Sequence, residues 1–159
     1  MLRWVAAVIV SAAAALTSPV VASADPAVPQ PGTPCGPNLI DAMTWLPDAK
    51  APLVCTERGW QPVDTPYPVS DAWVSYGPPM KLHGEGLRNS SIRSGDWTAT
   101  PLAPDDRCRA EQLPVVPGAG VGKPRIDEAP PGQALSLQVV PLLFSIEMSG
   151  NCLWQKVDR

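Results

Sequence analysis

The sequence predicts an all-β fold, a small antiparallel sandwich or barrel with many proline-rich loops. Proline accounts for 21 of the 159 residues, and because it interrupts helix interiors and central strands, it argues against long helices. Apolar and polar residues alternate with a period of two in Leu135–Val139 and Leu142–Met148, which indicates half-buried strands. Turn signals recur roughly every eight to fifteen residues, a spacing typical of sandwiches and barrels.

The first 24 residues have the pattern of a secretory signal peptide. Arg3 precedes the apolar run Trp4–Leu16, and Ala22-Ser23-Ala24 has the small residues after which signal peptidase cuts. The run is shorter than the about 20 residues of a membrane-spanning helix, so we expect no transmembrane span after cleavage. We therefore expect a secreted protein, extracellular or in the cell-envelope space, that begins at Asp25.

Three segments follow the predicted signal peptide. Residues 25–34 are rich in proline and poor in apolar side chains, which predicts a disordered leader. Residues 35–68 are expected to form a small hairpin unit closed by a disulfide. Residues 69–159 are expected to form the antiparallel β domain.

In the hairpin unit, two apolar stretches flank a short turn. Ala42–Leu46 and Leu53–Cys55 lie on either side of Pro47-Asp48-Ala49-Lys50, a turn-like tetrapeptide. This pattern favours a hairpin. The alternative is a short helix that Asn38 would cap and that would end at Trp45.

The β domain contains strand candidates at fairly regular spacing. They are Ala72–Tyr76, Met80–Leu87, Ile92–Thr100, Arg107–Val116, Ala134–Val140, Leu142–Met148 and Cys152–Val157. Ser149-Gly150-Asn151 is predicted to be a hairpin turn that joins the last two strands.

Four cysteines in an exported chain indicate two disulfides rather than metal ligands or nucleophiles. We expect the pairs Cys35–Cys55 and Cys108–Cys152, the second linking two strands or two sheets. In the chain-entropy treatment these bonds stabilise the fold by about 3 and about 4 kcal/mol.

The segment Leu53–Trp60, with Cys35 upstream, resembles a cysteine-hairpin-tryptophan pattern of small secreted proteins of high-GC actinobacteria. The ending Gly150–Trp154 is similar to the closing strand of such proteins. This resemblance implies an exported protein and supplies no catalytic residues.

Several chemistries have little support in the sequence. Lys and Arg are scattered, so no nucleic-acid footprint is visible. We expect no cofactor and no metal site, because zinc motifs are absent and Asp105-Asp106 and Asp127-Glu128 lack the spacing of a calcium loop. His83 is the only histidine, and no Gly-x-Ser-x-Gly motif accompanies it, so we predict no catalytic residues.

The aromatic residues are the best candidates for binding. Most tryptophans are expected in the core, and Trp60, Trp73 and Tyr76 are the candidates for a partly exposed binding surface. We predict a non-enzymatic module that binds an envelope component such as a polysaccharide, or another exported protein.

Two alternatives to a binding module stay open. One is an envelope glycan hydrolase that uses two carboxylates, drawn from Glu57, Glu85, Glu111, Glu128 and Glu147. The other is a protease-inhibitor-like module that presents Arg107-Cys108-Arg109 on a rigid loop.

Overall fold

A computed structural model describes residues 27–157, and the predicted signal peptide lies outside this range. A short 3-10 turn at Pro37–Leu39 precedes the first strand. The strands are β1 (Met43–Thr44), β2 (Leu53–Thr56), β3 (Gly59–Pro62), β4 (Ala72–Ser75), β5 (Met80–His83), β6 (Gly95–Pro101), β7 (Arg109–Val116), β8 (Gly120–Val121), β9 (Arg125–Glu128), β10 (Leu135–Val139), β11 (Leu143–Ser149) and β12 (Cys152–Lys156).

These strands form two sheets that pack as a sandwich. The larger sheet has seven strands in the order β10-β6-β12-β4-β1-β2-β3. The smaller sheet has the order β5-β11-β7-β8, and β9 also pairs with β7. Every pairing between these strands is antiparallel except that of β1 with β4, which is parallel. The predicted all-β class is therefore confirmed, as a sandwich and not a closed barrel.

The main core lies between the two sheets. The larger sheet contributes Trp73, Trp97 and Trp154, and the smaller sheet contributes apolar side chains such as Leu82 and Ile146. All five side chains are at most 1% exposed. Burying a large apolar side chain stabilises a fold by roughly 1.5–3 kcal/mol, so this cluster is a main source of stability.

A second, smaller core covers the outer face of the larger sheet. Trp60, Val74 and Leu153 point to this face, opposite the inner face of their strands, and pack with Leu39 and Ala42. The segment that precedes β1 therefore covers the sheet from outside. In this region the larger sheet is buried on both faces.

The two disulfides have the pairing that the sequence favoured. Cys35 lies in the covering segment, and its bond to Cys55 ties that segment to β2. Cys108 precedes β7 of the smaller sheet and Cys152 begins β12 of the larger one, so their bond, here called the intersheet disulfide, joins the two sheets.

Within residues 35–68, β1 and β2 form an antiparallel pair. Met43 of β1 lies opposite Val54 of β2, and the short helix considered as an alternative is absent from residues 40–45. The strands of residues 35–68 belong to the same sheet as β4, so the sheet continues across the boundary placed at residue 68. Gly32 and Thr33 of the leader hydrogen-bond to the backbone of Trp60 in β3.

The predicted hairpin of the last two strands is wrong. β11 belongs to the smaller sheet and β12 to the larger one, so Ser149-Gly150-Asn151 crosses from one sheet to the other. Gly150 has a φ of +87°, and a Cβ there would lie 2.0 Å from the carbonyl oxygen of Arg107. A tight crossing beside the intersheet disulfide therefore requires glycine.

Some strand bounds also differ from the prediction. The strand expected over Met80–Leu87 ends at His83, because Gly84 and Gly86 turn the chain across β11 and hydrogen-bond to the carbonyls of Phe144 and Leu143. The strands β3, β8 and β9 were not predicted. β9 is mostly exposed at a sheet edge and has little apolar alternation.

Candidate functional site

Two of the three predicted binding residues are not available to a ligand. Trp60 is 2% exposed and Trp73 is fully buried, so the expected partial exposure of both is wrong. Trp60 is covered by the segment that precedes β1, and Trp73 lies at the centre of the larger sheet facing the smaller one. Sequence reasoning missed the covering segment because those contacts are not local.

Tyr76 is half-buried. Its ring meets that of Trp60 edge to face, with 6.3 Å between centroids. Burial raises the pKa of the Tyr76 hydroxyl to about 12, so this phenol stays protonated at neutral pH. Tyr76 therefore borders the second core.

The candidate site is a cleft of about 640 Å³, within the usual size range of ligand pockets. Its first wall carries Trp45, Pro66 and Tyr67, and its second wall carries His83 and the segment Asn89–Ser91. Thr65 and Val69 complete the lining. We call this feature the aromatic cleft.

The first wall is held by the turn between β1 and β2. The indole N–H of Trp45 donates to the carbonyl of Ala49 at 3.0 Å, and the hydroxyl of Tyr67 donates to the carbonyl of Lys50 at 3.0 Å. The two rings meet edge to face with centroids 5.2 Å apart. Both aromatic side chains are thus held in place by their polar atoms, and the rings supply the apolar surface.

The second wall is held by backbone hydrogen bonds. The N–H of Ser91 donates to the carbonyl of His83 at 2.8 Å, and the carbonyl of Ser91 accepts from the N–H of Ser70 at 3.0 Å. The next residue, Ile92, is fully buried in the main core. Asn89 has a φ of +60°, a conformation that asparagine tolerates better than most residues. The cleft is therefore preformed on both sides.

Trp45 is the functional candidate that sequence reasoning missed. It is half-buried, while Trp60, Trp73, Trp97 and Trp154 are each at most 2% exposed. A usable signal was present, because Trp45 lies near the end of an apolar stretch, two residues before the proline of a predicted turn. A tryptophan at such a position can lie on a loop and keep part of its ring exposed.

A shallower depression elsewhere offers less to a ligand. It has a volume of about 390 Å³ and lies over β6 and β10, near Arg125. The tryptophan beneath it, Trp97, is 1% exposed. The aromatic cleft is the stronger candidate because it combines ring surface with polar groups.

The carboxylates do not gather in the cleft. Among the described lining residues there is no Asp or Glu. The register places Glu111 opposite Glu147 on the smaller sheet, but each has a cationic partner, Arg109 at 2.7 Å and Lys81 at 3.5 Å. Such ion pairs are common on solvent-exposed sheet faces. Nothing in their geometry favours the alternative of a glycan hydrolase that uses two carboxylates.

The segment Arg107-Cys108-Arg109 does not protrude as an inhibitor loop. Cys108 is fully buried in the main core, and Arg109 begins β7. Arg107 forms an ion pair with Glu128 at 2.6 Å, which holds its side chain against β9. The rigid exposed loop that would favour protease inhibition is therefore not formed by these residues.

Residues 27–157 contain no group of three or more His, Cys, Asp or Glu side chains placed to hold a metal ion. Within the same range, no helix has the length and apolar character needed to cross a membrane.

No protein-family model matches the chain, and no curated protein or solved structure is significantly similar to it. The resemblance to secreted actinobacterial proteins is therefore still a hypothesis. The function has to be argued from the aromatic cleft itself.

Proposed function

We propose that this protein is a secreted, non-enzymatic binding module that recognises a component of the cell envelope through the aromatic cleft. The observation that carries the proposal is the pairing of a fixed aromatic wall with a fixed polar wall. Binding sites combine apolar surface, which supplies affinity, with a few placed polar groups, which supply orientation.

Secretion is supported by two independent features. The N-terminal sequence has the charged start, apolar run and small residues of a signal peptide. Two disulfides, with no free cysteine among the described residues, are consistent with an oxidising compartment. The intact mass and free-thiol content of the protein secreted by its own host test this part. A start at Asp25 without thiols supports it, and an uncleaved chain contradicts it.

The binding test is co-sedimentation of the purified mature protein with the insoluble envelope fraction of its host. We expect Trp45→Ala to weaken binding about thirtyfold, because truncating an aromatic anchor commonly costs about 2 kcal/mol. Asn89→Gly removes the side-chain amide while keeping a residue that accepts the positive φ. It tests the second wall without straining the backbone.

The control variant is Ile126→Ala. Ile126 is an exposed apolar residue on β9, outside the cleft, so its removal should leave binding unchanged. Thermal unfolding followed by circular dichroism checks that each variant is folded. Equal binding by the wild type, Trp45→Ala and Asn89→Gly, or no binding by the wild type, would refute the proposed function.

A further inference from the structure

We infer that the ligand of the aromatic cleft is a neutral saccharide. This inference rests on the proposed function, since it assigns a chemical class to the occupant of the same cleft.

The first wall offers ring surface more than hydrogen bonds. The donors of Trp45 and Tyr67 are already used by the carbonyls of Ala49 and Lys50. The rings of these two side chains, together with Pro66, therefore present apolar surface to the cleft. The C–H face of a sugar ring is a suitable partner for such a surface, because it is apolar and rigid.

The second wall offers groups that both donate and accept. Three lining residues of this wall have an amide or hydroxyl side chain, the exposed Asn89, the half-buried Ser90 and the buried Ser91, and Thr65 also belongs to the lining. Each of these side chains carries donor and acceptor capacity. Sugar hydroxyls also donate and accept, so this set can satisfy them when water is displaced.

Charge argues for a neutral ligand. Among the described residues that line the cleft there is no Lys, Arg, Asp or Glu, and the titratable side chains are those of His83 and Tyr67. A phosphate, a uronate or an ammonium group would lose hydration there without gaining a permanent opposite charge, which is costly in a partly enclosed cleft. The lining therefore disfavours charged envelope components such as phosphorylated or acidic glycans.

A proline-rich peptide fits less well, although aromatic grooves often bind such peptides. The carbonyls of a polyproline helix have no internal partners and must be satisfied by donors from the groove. The two aromatic donors, from Trp45 and Tyr67, are occupied within the protein. The aromatic wall therefore has no unoccupied donor from Trp45 or Tyr67 for the carbonyls of a peptide backbone.

The test is a titration of ¹⁵N-labelled mature protein followed by NMR. The first probes are neutral oligosaccharides, released from the insoluble envelope fraction by partial acid hydrolysis and separated from charged material by ion exchange. The comparison probes are the charged fraction and a decaproline peptide. We expect the neutral fraction alone to shift the indole signal of Trp45 and the amide signals of residues 89–91.

Two variants make the test specific for the proposed contacts. Asn89→Gly should weaken saccharide binding about tenfold, because it removes a two-sided hydrogen-bonding group. Ile126→Ala, outside the cleft on β9, should keep the dissociation constant within about twofold. An unchanged dissociation constant in Asn89→Gly, or an equal loss in both variants, would contradict the assignment.

The other outcomes separate this inference from the proposed function. Shifts caused by decaproline or by the charged fraction, but not by the neutral one, would overturn the saccharide assignment. If none of the three probes shifts the NMR signals while envelope co-sedimentation still depends on Trp45, the saccharide assignment is overturned. The proposed function stands in that case. If no probe shifts the NMR signals and co-sedimentation does not depend on Trp45, the proposed function is refuted as well.

Discussion

Gln112 on β7 provides the sharpest test of how the sandwich is held together. Its side chain is fully buried, and its amide nitrogen donates to the carbonyl of Gln138 at 3.1 Å and to Asp127 at 3.2 Å. Its amide oxygen accepts from the N–H of Val140 at 3.1 Å. The side-chain amide has the same donor and acceptor as a peptide group. Gln112 therefore forms hydrogen bonds with the free edge of β10 like those that a neighbouring strand would form.

The change to make is Gln112→Met, which keeps a similar volume and removes all three hydrogen bonds. It leaves the Val140 N–H and the Gln138 carbonyl without these partners. An unsatisfied buried polar group costs about 1–3 kcal/mol. Gln138 is exposed and Val140 is half-buried, so water can reach both groups, and we expect a loss of about 1–3 kcal/mol in the free energy of unfolding.

The assay is urea denaturation with both disulfides intact, followed by tryptophan fluorescence. Gln155→Met is the matched control, because Gln155 is exposed on β12 and its replacement should change stability by less than about 0.5 kcal/mol. Hydrogen exchange at the Val140 amide should accelerate in Gln112→Met. If Gln112→Met is as stable as the control and Val140 keeps its protection, the edge of β10 is closed by other contacts and the reasoning fails.

Three further predictions concern the core, the disulfides and pH. Ser75→Ala should cost about 1–3 kcal/mol in urea denaturation, because the buried indole N–H of Trp154 donates to the Ser75 hydroxyl at 2.9 Å. Replacing both cysteines of the intersheet disulfide with alanine should cost about 4 kcal/mol for a loop that spans 44 residues. Hydrogen bonds from Ser94 lower the pKa of Glu85, so its contribution to stability is complete above about pH 4.5 and is lost as pH falls. Glu85→Gln should therefore flatten the dependence of unfolding free energy on pH below about 4.5.

Each of these predictions has a contradicting result. Ser75→Thr keeps the hydroxyl, so equal losses in Ser75→Ala and Ser75→Thr would point to packing instead of the hydrogen bond. An unchanged unfolding free energy after removal of the intersheet disulfide would contradict the loop-entropy reasoning. A steeper acid dependence in Glu85→Gln would contradict the sign derived for Glu85.

The aromatic cleft shows where sequence reasoning was limited. The prediction that most tryptophans are core residues is confirmed for Trp97 and Trp154, and Trp60 and Trp73, the expected exceptions, are buried as well. The choice of exposed residues was wrong, because local neighbours such as Gly59 say nothing about what covers Trp60. Trp45 lies 38 residues or more from His83 and Asn89 in the chain, so no local pattern could join the two walls.

The sequence by itself determined the class of fold. Proline frequency, period-two alternation and turn residues are local properties, and each acts directly on the backbone where it occurs. Four cysteines allow three pairings, so the expected pairs were one choice among them, and the structure shows that choice.

Only the tertiary structure decided which sheet each strand joins and where a ligand can bind. Leu143–Ser149 and Cys152–Lys156 both read as half-buried strands, yet they belong to different sheets. Alternation shows that one face of a strand is buried, but it does not identify the partner that buries it. That partner is chosen by long-range packing, and the same packing brings Trp45, Tyr67 and Asn89 to one cleft.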